Sequence, residues 1–192
     1  MISSFLPPQA VRSISQYGLL MYWARIAQRR LFPKIDEFQP NARLHDPKQL
    51  LFWSVDESEG ERIFRVLGHG QYVTESYHSS IIGRSMTELA PANMKEFALE
   101  TANRCADSAC PVYSIIATHD AGGRRVDCER LLLPFGVDGR VGQLLVSLQL
   151  ISAEGRFTRA TIFQRFSSNA EVLLSGLLKV DEPVKRHVAL LD

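Results

Sequence analysis

The order of hydrophobic patterns predicts an α+β domain built on an antiparallel sheet. Three observations carry this. One amphipathic helical pattern precedes two short strand patterns, helical patterns follow, and three more strand patterns close the series. The dipeptide Asp138-Gly139 between two apolar runs is a strong hairpin signal. Leu131, Leu132 and Leu133 are consecutive, so that strand carries apolar side chains on both faces and both must be covered.

The opening "MISSFLPPQA" reads as a loose lead-in, since Pro7 and Pro8 deny a helix. Over residues 13–31, Ile14, Tyr17, Met21 and Ala24 recur at helical steps, with Leu20, Trp23 and Ala27 widening the stripe. Ser13 is the expected N-cap, Arg25 to Arg30 suit the negative end of the helix dipole, and Pro33 stops the element. An irregular link follows. "QLLFWSVD" and "ERIFRVLGHG", separated by "ESEG", predict a hairpin, and "ANMKEFALETANRCADSA" predicts a helix with Met94, Phe97, Ala98, Thr101 and Cys105 on one face. "PVYSIIATHD", "CERLLLPF" and "GQLLVSLQLI" predict the last three strands. From Thr158 a second helix is expected, because Phe163, Phe166, Ala170, Leu173, Leu174, Leu177 and Leu178 again follow steps of three and four.

Composition narrows the function classes. Twenty-two Lys and Arg against twenty-one Asp and Glu leave a net charge of +1, so no basic field marks a nucleic-acid or membrane-surface protein. No apolar run reaches the ~20 residues of a spanning helix, and no signal-peptide pattern opens the chain. Cys105, Cys110 and Cys128 are odd in number and form no CxxC, which suits reduced thiols in a cytoplasm. GxSxG, HExxH and a Walker loop are all absent. His119, Asp120, Ser114 and Cys128 are close in sequence but nothing there fixes a triad, and "AGGRR" reads as a turn rather than a phosphate loop.

In order along the chain, "LLMYW", "FRVLGHG", "IIGRSMTELAP", "CPVYS" and "ERLLLPFGVDGR" resemble a group of bacterial PAS-domain proteins, over residues 19–150. The resemblance implies a PAS-like five-stranded antiparallel sheet with helices on one face, a ligand cleft between them, and a sensory or regulatory role without catalysis, commonly as a dimer. With the flanking N- and C-terminal helices, the expected division is 1–40 for the N-terminal helix and linker, 41–152 for the PAS-like domain, and 153–192 for the C-terminal helix and tail. Flavin-adduct members place a cysteine near a Gly-Arg pair; here Ser85 and Met86 follow Gly83-Arg84. Haem-binding members commonly use a histidine on the long helix, and this one has none, so no cofactor is named.

The candidate cleft lining is His69, His78, Phe97, Cys105 and Ile115, and the candidate dimer contact is Leu20, Met21 and Trp23. No catalytic residue and no metal ligand is assigned. After Leu150 roughly forty residues remain, too few for an output domain. The expectation is therefore a cytoplasmic, stand-alone regulatory module that binds a small molecule, a regulatory protein partner, or both, and forms a homodimer. Two alternatives stay open: a dimerisation scaffold whose core is closed by Phe64, Met86, Phe97 and Ile115, and a small α+β enzyme using His69, His78 or Cys105. A largely apolar pocket with a few convergent polar groups would favour the sensor.

Overall fold

In a computed structural model, residues 5–39, 46–77, 79–159, 162–163 and 170–180 are described. The chain runs β1 (Phe5–Leu6), α1 (Ile14–Ala27), β2 (Leu50–Ser58), β3 (Glu61–His69), α2 (Gln71–Tyr77), α3 (Met86–Leu89), α4 (Lys95–Ser108), β4 (Val112–His119), β5 (Arg125–Val137), β6 (Arg140–Ile151) and β7 (Glu171–Leu178). The strands form one mixed sheet in the order β1-β7-β4-β5-β6-β2-β3, parallel only between β1 and β7. The five strands expected from sequence are its antiparallel body, and β7 and β1 extend it beyond β4. Both hairpins turn where the sequence placed them. Glu59-Gly60 and Asp138-Gly139 each take two successive positive φ angles, 54° and 82°, and 52° and 77°, matching the right-handed strand twist.

Two expectations at the chain ends are corrected. The lead-in contributes a short strand, Phe5 pairing with Leu177. The helix expected beyond Thr158 is, over Glu171–Leu178, strand β7, paired antiparallel with β4 from Val112↔Leu177 to Ala117↔Glu171. Leucine pairs four residues apart satisfy a helical count, but the β4 edge decides the matter. Val112 to Ala117 are at most 5% exposed, and an unpaired backbone edge buried to that degree is costly. Gly176, a poor helix former, also fits a strand pressed on its neighbours. Phe166, included in that helical stripe, lies outside the described residues.

Helix α1 is shorter and rotated relative to the reading from sequence. Ser13 caps it, accepting the Gln16 N–H at 3.3 Å, but it ends at Ala27, where Gln28 and Arg29 turn left-handed, well before Pro33. The Arg30 guanidinium folds back onto the carbonyls of Ile26 and Ala27 and pairs with Glu37 at 2.8 Å. Its buried face is Gln16, Leu19, Leu20, Trp23 and Ala27, and Ile14 is 90% exposed. Burying Leu19, Leu20 and Trp23 against the sheet contributes roughly 1.5–3 kcal/mol each. The polar Gln16 sits on that face because its amide donates to the Glu129 and Ser147 carbonyls, at 3.1 and 2.9 Å.

Helix α1 lies across one sheet face and α2 to α4 across the other, so both faces of β5 are covered. Along β5, Cys128, Arg130 and Leu132 face the α4 side, and Glu129, Leu131 and Leu133 face α1, with the leucines fully buried. Trp23 donates its indole N–H to the Pro134 carbonyl at 2.8 Å, fixing the far end of α1 to the same strand.

The β5–β6 hairpin carries a bulge at Phe135/Gly136. A Cβ on Gly136 would lie 1.9 Å from the Arg140 carbonyl oxygen and 3.0 Å from the Phe32 ring. Gly136→Ala should therefore lower unfolding free energy by about 1–3 kcal/mol in urea titrations. Gly142→Ala, with nothing within 4 Å of the added carbon, should stay within about 0.5 kcal/mol. Equal stabilities for the two variants would contradict the close packing at the bulge.

Candidate functional site

Between the sheet and helices α2 to α4 lies a cleft of about 100 Å³. Its floor comes from Leu51 and Trp53 on β2, Ile116 on β4, Cys128 and Arg130 on β5, and Val146 and Leu148 on β6; Tyr77, Met86, Met94 and Ala98 form the roof. Phe163 covers it from the C-terminal segment, its ring stacked on Tyr77 at 5.2 Å between centroids. Ile162, fully buried, packs beside it with Met94, Ile116, Val126, Cys128 and Leu150.

A turn anchors this cover. The Asp120 carboxylate, 1% exposed, accepts backbone N–H groups from Gly122 at 2.8 Å, Arg124 at 3.0 Å and Thr158 at 3.1 Å. These bonds, the one from Thr158 foremost, hold it below the ordinary carboxylate range, with the Arg124 guanidinium at 3.3 Å adding to the effect. Arg124 also donates to the Arg156 carbonyl. Asp120 is thus committed to joining the β4–β5 turn to the segment that carries Phe163. It is not available to orient His119, which is exposed, and the triad weighed from sequence is not assembled.

The polar groups in the cleft are few and unmatched. Arg130 is the one charged residue among the lining side chains, and among the described residues its guanidinium has neither a hydrogen bond nor an ion pair. Burial pushes its pKa down, opposed by Cys128 and Tyr77. Those neighbours stay neutral: burial lifts Tyr77 to about 12 and Cys128 to about 12. Across the sheet Arg130 pairs with Leu148 on β6 and Ser114 on β4. The Ser114 hydroxyl, outside the cleft lining, is fully buried and has no partner among the described residues.

The residues nominated from sequence fall elsewhere. His69 fastens local structure: its Nε2 accepts the Ile81 N–H at 3.2 Å, while Nδ1 lies 3.2 Å from the Thr74 hydroxyl and 3.3 Å from the Gly70 carbonyl. His78 lies outside the described residues. Phe97 packs beside the cleft, against the cluster of Met94 and Ile162, rather than lining it. Cys105 is fully buried, its thiol 3.8 Å from the Leu132 carbonyl and pushed up by burial, so it is an inert core thiol. Ile115 points to the opposite sheet face, next to Glu129 in the register. Leu20 and Trp23 are 0% and 5% exposed against the chain's own sheet and offer nothing to a second copy while α1 stays docked; Met21 is half-buried. Arg130 and Tyr77 were missed.

A larger hollow of about 640 Å³ lies between the 34–36 link and the β5–β6 hairpin. It is an open groove whose charges are of both signs, with Lys34 and Arg140 against Asp36 and Asp138, and Arg140 is already paired with Glu57 at 2.6 Å. It selects no ligand chemistry, and the smaller cleft is the better site. Among the described residues no group of side chains could hold a metal ion, and no helix is long and apolar enough to cross a membrane.

A family model described as a PAS domain matches residues 11–148. No curated protein matches the chain.

A guanidinium half-buried in an apolar cleft, with no partner among the described residues, costs stability. Arg130→Met should therefore raise the thermal midpoint by roughly 2–4 °C, the shift that about 1 kcal/mol produces in a chain of this size. A fall of similar size in a thermal melt would mean that Arg130 has an undetected partner.

Proposed function

The chain belongs to the PAS-domain family, and from that premise we propose that it is a sensory and regulatory module whose cleft takes a small molecule and whose helix α1 reports occupancy. The sensory and regulatory character is that of the family, whose domains generally bind rather than catalyse. The finer reading rests chiefly on one observation: β5 serves the cleft and α1 at once. Cys128 and Arg130 line the cleft, while Glu129, between them, holds the start of α1. Its carboxylate accepts the Ser13 N–H at 3.2 Å and the Tyr113 hydroxyl at 2.8 Å, and the same hydroxyl accepts the Arg12 N–H at 3.2 Å.

A shift of β5 by a few tenths of an ångström on ligand entry would pass to these bonds with no intervening element. Packed interiors transmit such shifts rather than absorb them. Signalling then consists of loosening the α1 N-terminus, which exposes apolar surface to a regulatory protein partner. A second copy of the chain is one form of that partner, with Ile14, 90% exposed, already on the outward face. The cleft supports a sensor over a closed scaffold, because its lining is largely apolar with a few convergent polar groups. Of the groups nominated for the enzyme alternative, Cys105 is an inert core thiol and His69 is bonded into the backbone, while His78 lies outside the described residues.

Coupling between cleft and α1 can be tested without a ligand. Ala98→Leu adds volume inside the cleft, where Ala98 lines the roof. Deuterium exchange over residues 13–27 should quicken by about fivefold, with β4 and β6 unchanged. Unaltered α1 exchange in a variant that melts normally would sink the reporting role.

A further inference from the structure

Resting on the reading of the cleft as a ligand site, we infer that its ligand is a small monocarboxylate with an apolar body, the carboxylate seated on the Arg130 guanidinium.

The argument begins with contrast. Other charges drawn into this fold are matched: Glu129 by Ser13 and Tyr113, Asp120 by three backbone N–H groups, Arg62 by Asp107 at 2.8 Å and Asn103 at 3.1 Å. Arg130 is matched by nothing among the described residues, although it is half-buried in the middle of a strand. Charged groups are rarely held this way without a counter-charge. The Tyr77 phenol, in the same lining, has no hydrogen bond among the described residues.

These groups lack one thing in common, an acceptor. A carboxylate supplies two oxygens to the planar guanidinium fork and has lone pairs left for hydroxyl donors. The lining holds one cation and no Asp or Glu, and neutral Cys128 and Tyr77 do not balance it, so a single negative charge is what the site can neutralise. A phosphate dianion would bring a second charge with no second cation to meet it. The remaining lining, Trp53, Met86, Met94, Ile116 and Leu148 among it, suits a hydrocarbon body. At about 100 Å³ the cleft is smaller than the ~150 Å³ engineered cavity that admits benzene, which limits that body to a few carbons.

The test uses full-length protein carrying ¹³C-methyl methionine, since Met86 and Met94 both line the cleft. Butyrate, its neutral isostere butyramide, and methyl phosphate are titrated into the native protein and into Arg130→Met. The expected result is saturable movement of both methyl signals by butyrate, with affinity about tenfold above that of butyramide. Arg130→Met should lose that tenfold preference and bind butyramide as before. Butyramide equalling butyrate, methyl phosphate exceeding it, or Arg130→Met retaining the preference would each overturn the carboxylate assignment and leave the cleft as a ligand site. Methyl signals unmoved by any probe would overturn both.

Discussion

The structure depends on one strand, β5, being buried on both faces. Leu131, Leu132 and Leu133 are each fully buried, and a strand with that pattern cannot sit on a sheet that has one wet face. Two covers are therefore required. Helices α2 to α4 supply one and α1 the other, and because α1 comes from the same chain the second face needs no other subunit. The sheet's other features follow. β7 closes the β4 edge, which would otherwise expose the backbone of a strand buried on both sides, and β1 pairs in turn with β7.

Double coverage also places the cleft and the helix one residue apart. On the α1 side the Gln16 amide N–H, Glu129, Tyr113 and Trp23 form bonds that fix the angle and register of the helix, and the Gln16 Oε1 is the buried atom left over. On the cleft side Arg130 and Tyr77 are left without hydrogen-bond or ion-pair partners among the described residues. This asymmetry is the physical content of the functional reading. A fold that ties its helix down in one layer and, among the described residues, leaves a guanidinium unmatched in the next has traded stability for a place where something else binds. The cover over that place, Phe163 on Tyr77, hangs from Asp120, which ties it to the β4–β5 turn rather than to the cleft itself.

Much of this was legible in the chain. The triple leucine required a cover for the second face, Asp138-Gly139 fixed a hairpin, and Ser13 marked the start of α1, because each is a local signal with a local cause. The rotation of α1 was hidden. Ile14 reads as part of the apolar stripe, and nothing local places the polar Gln16 on the buried face, where the Glu129 and Ser147 carbonyls wait opposite. β7 was hidden for a similar reason, since an edge that needs a partner is a property of the sheet and not of residues 171–178. Of the nominated lining, the structure bonds His69 into local backbone and buries Cys105 in the core, away from the cleft between the sheet and α2 to α4. Alternation through "CERLLLPF" already puts Arg130 on one face with Cys128 and Leu132, a charge in an apolar row. Only strand order, with Ser114 on one side and Leu148 on the other, turns that row into a cleft floor.

The account stands or falls on α1 covering its own chain's sheet. A nitroxide on Ile14→Cys, in a Cys110→Ser background since Cys105 and Cys128 are buried, would sit beside the Ser13–Glu129 bond. Amide signals of β5 and β6 around Glu129 and Ser147 should be broadened by paramagnetic relaxation. Diluting the labelled protein into an excess of unlabelled, NMR-silent protein should leave that broadening unchanged. Broadening that fades on dilution would mean that α1 covers the sheet of another copy, and the route from cleft to helix would then run between chains.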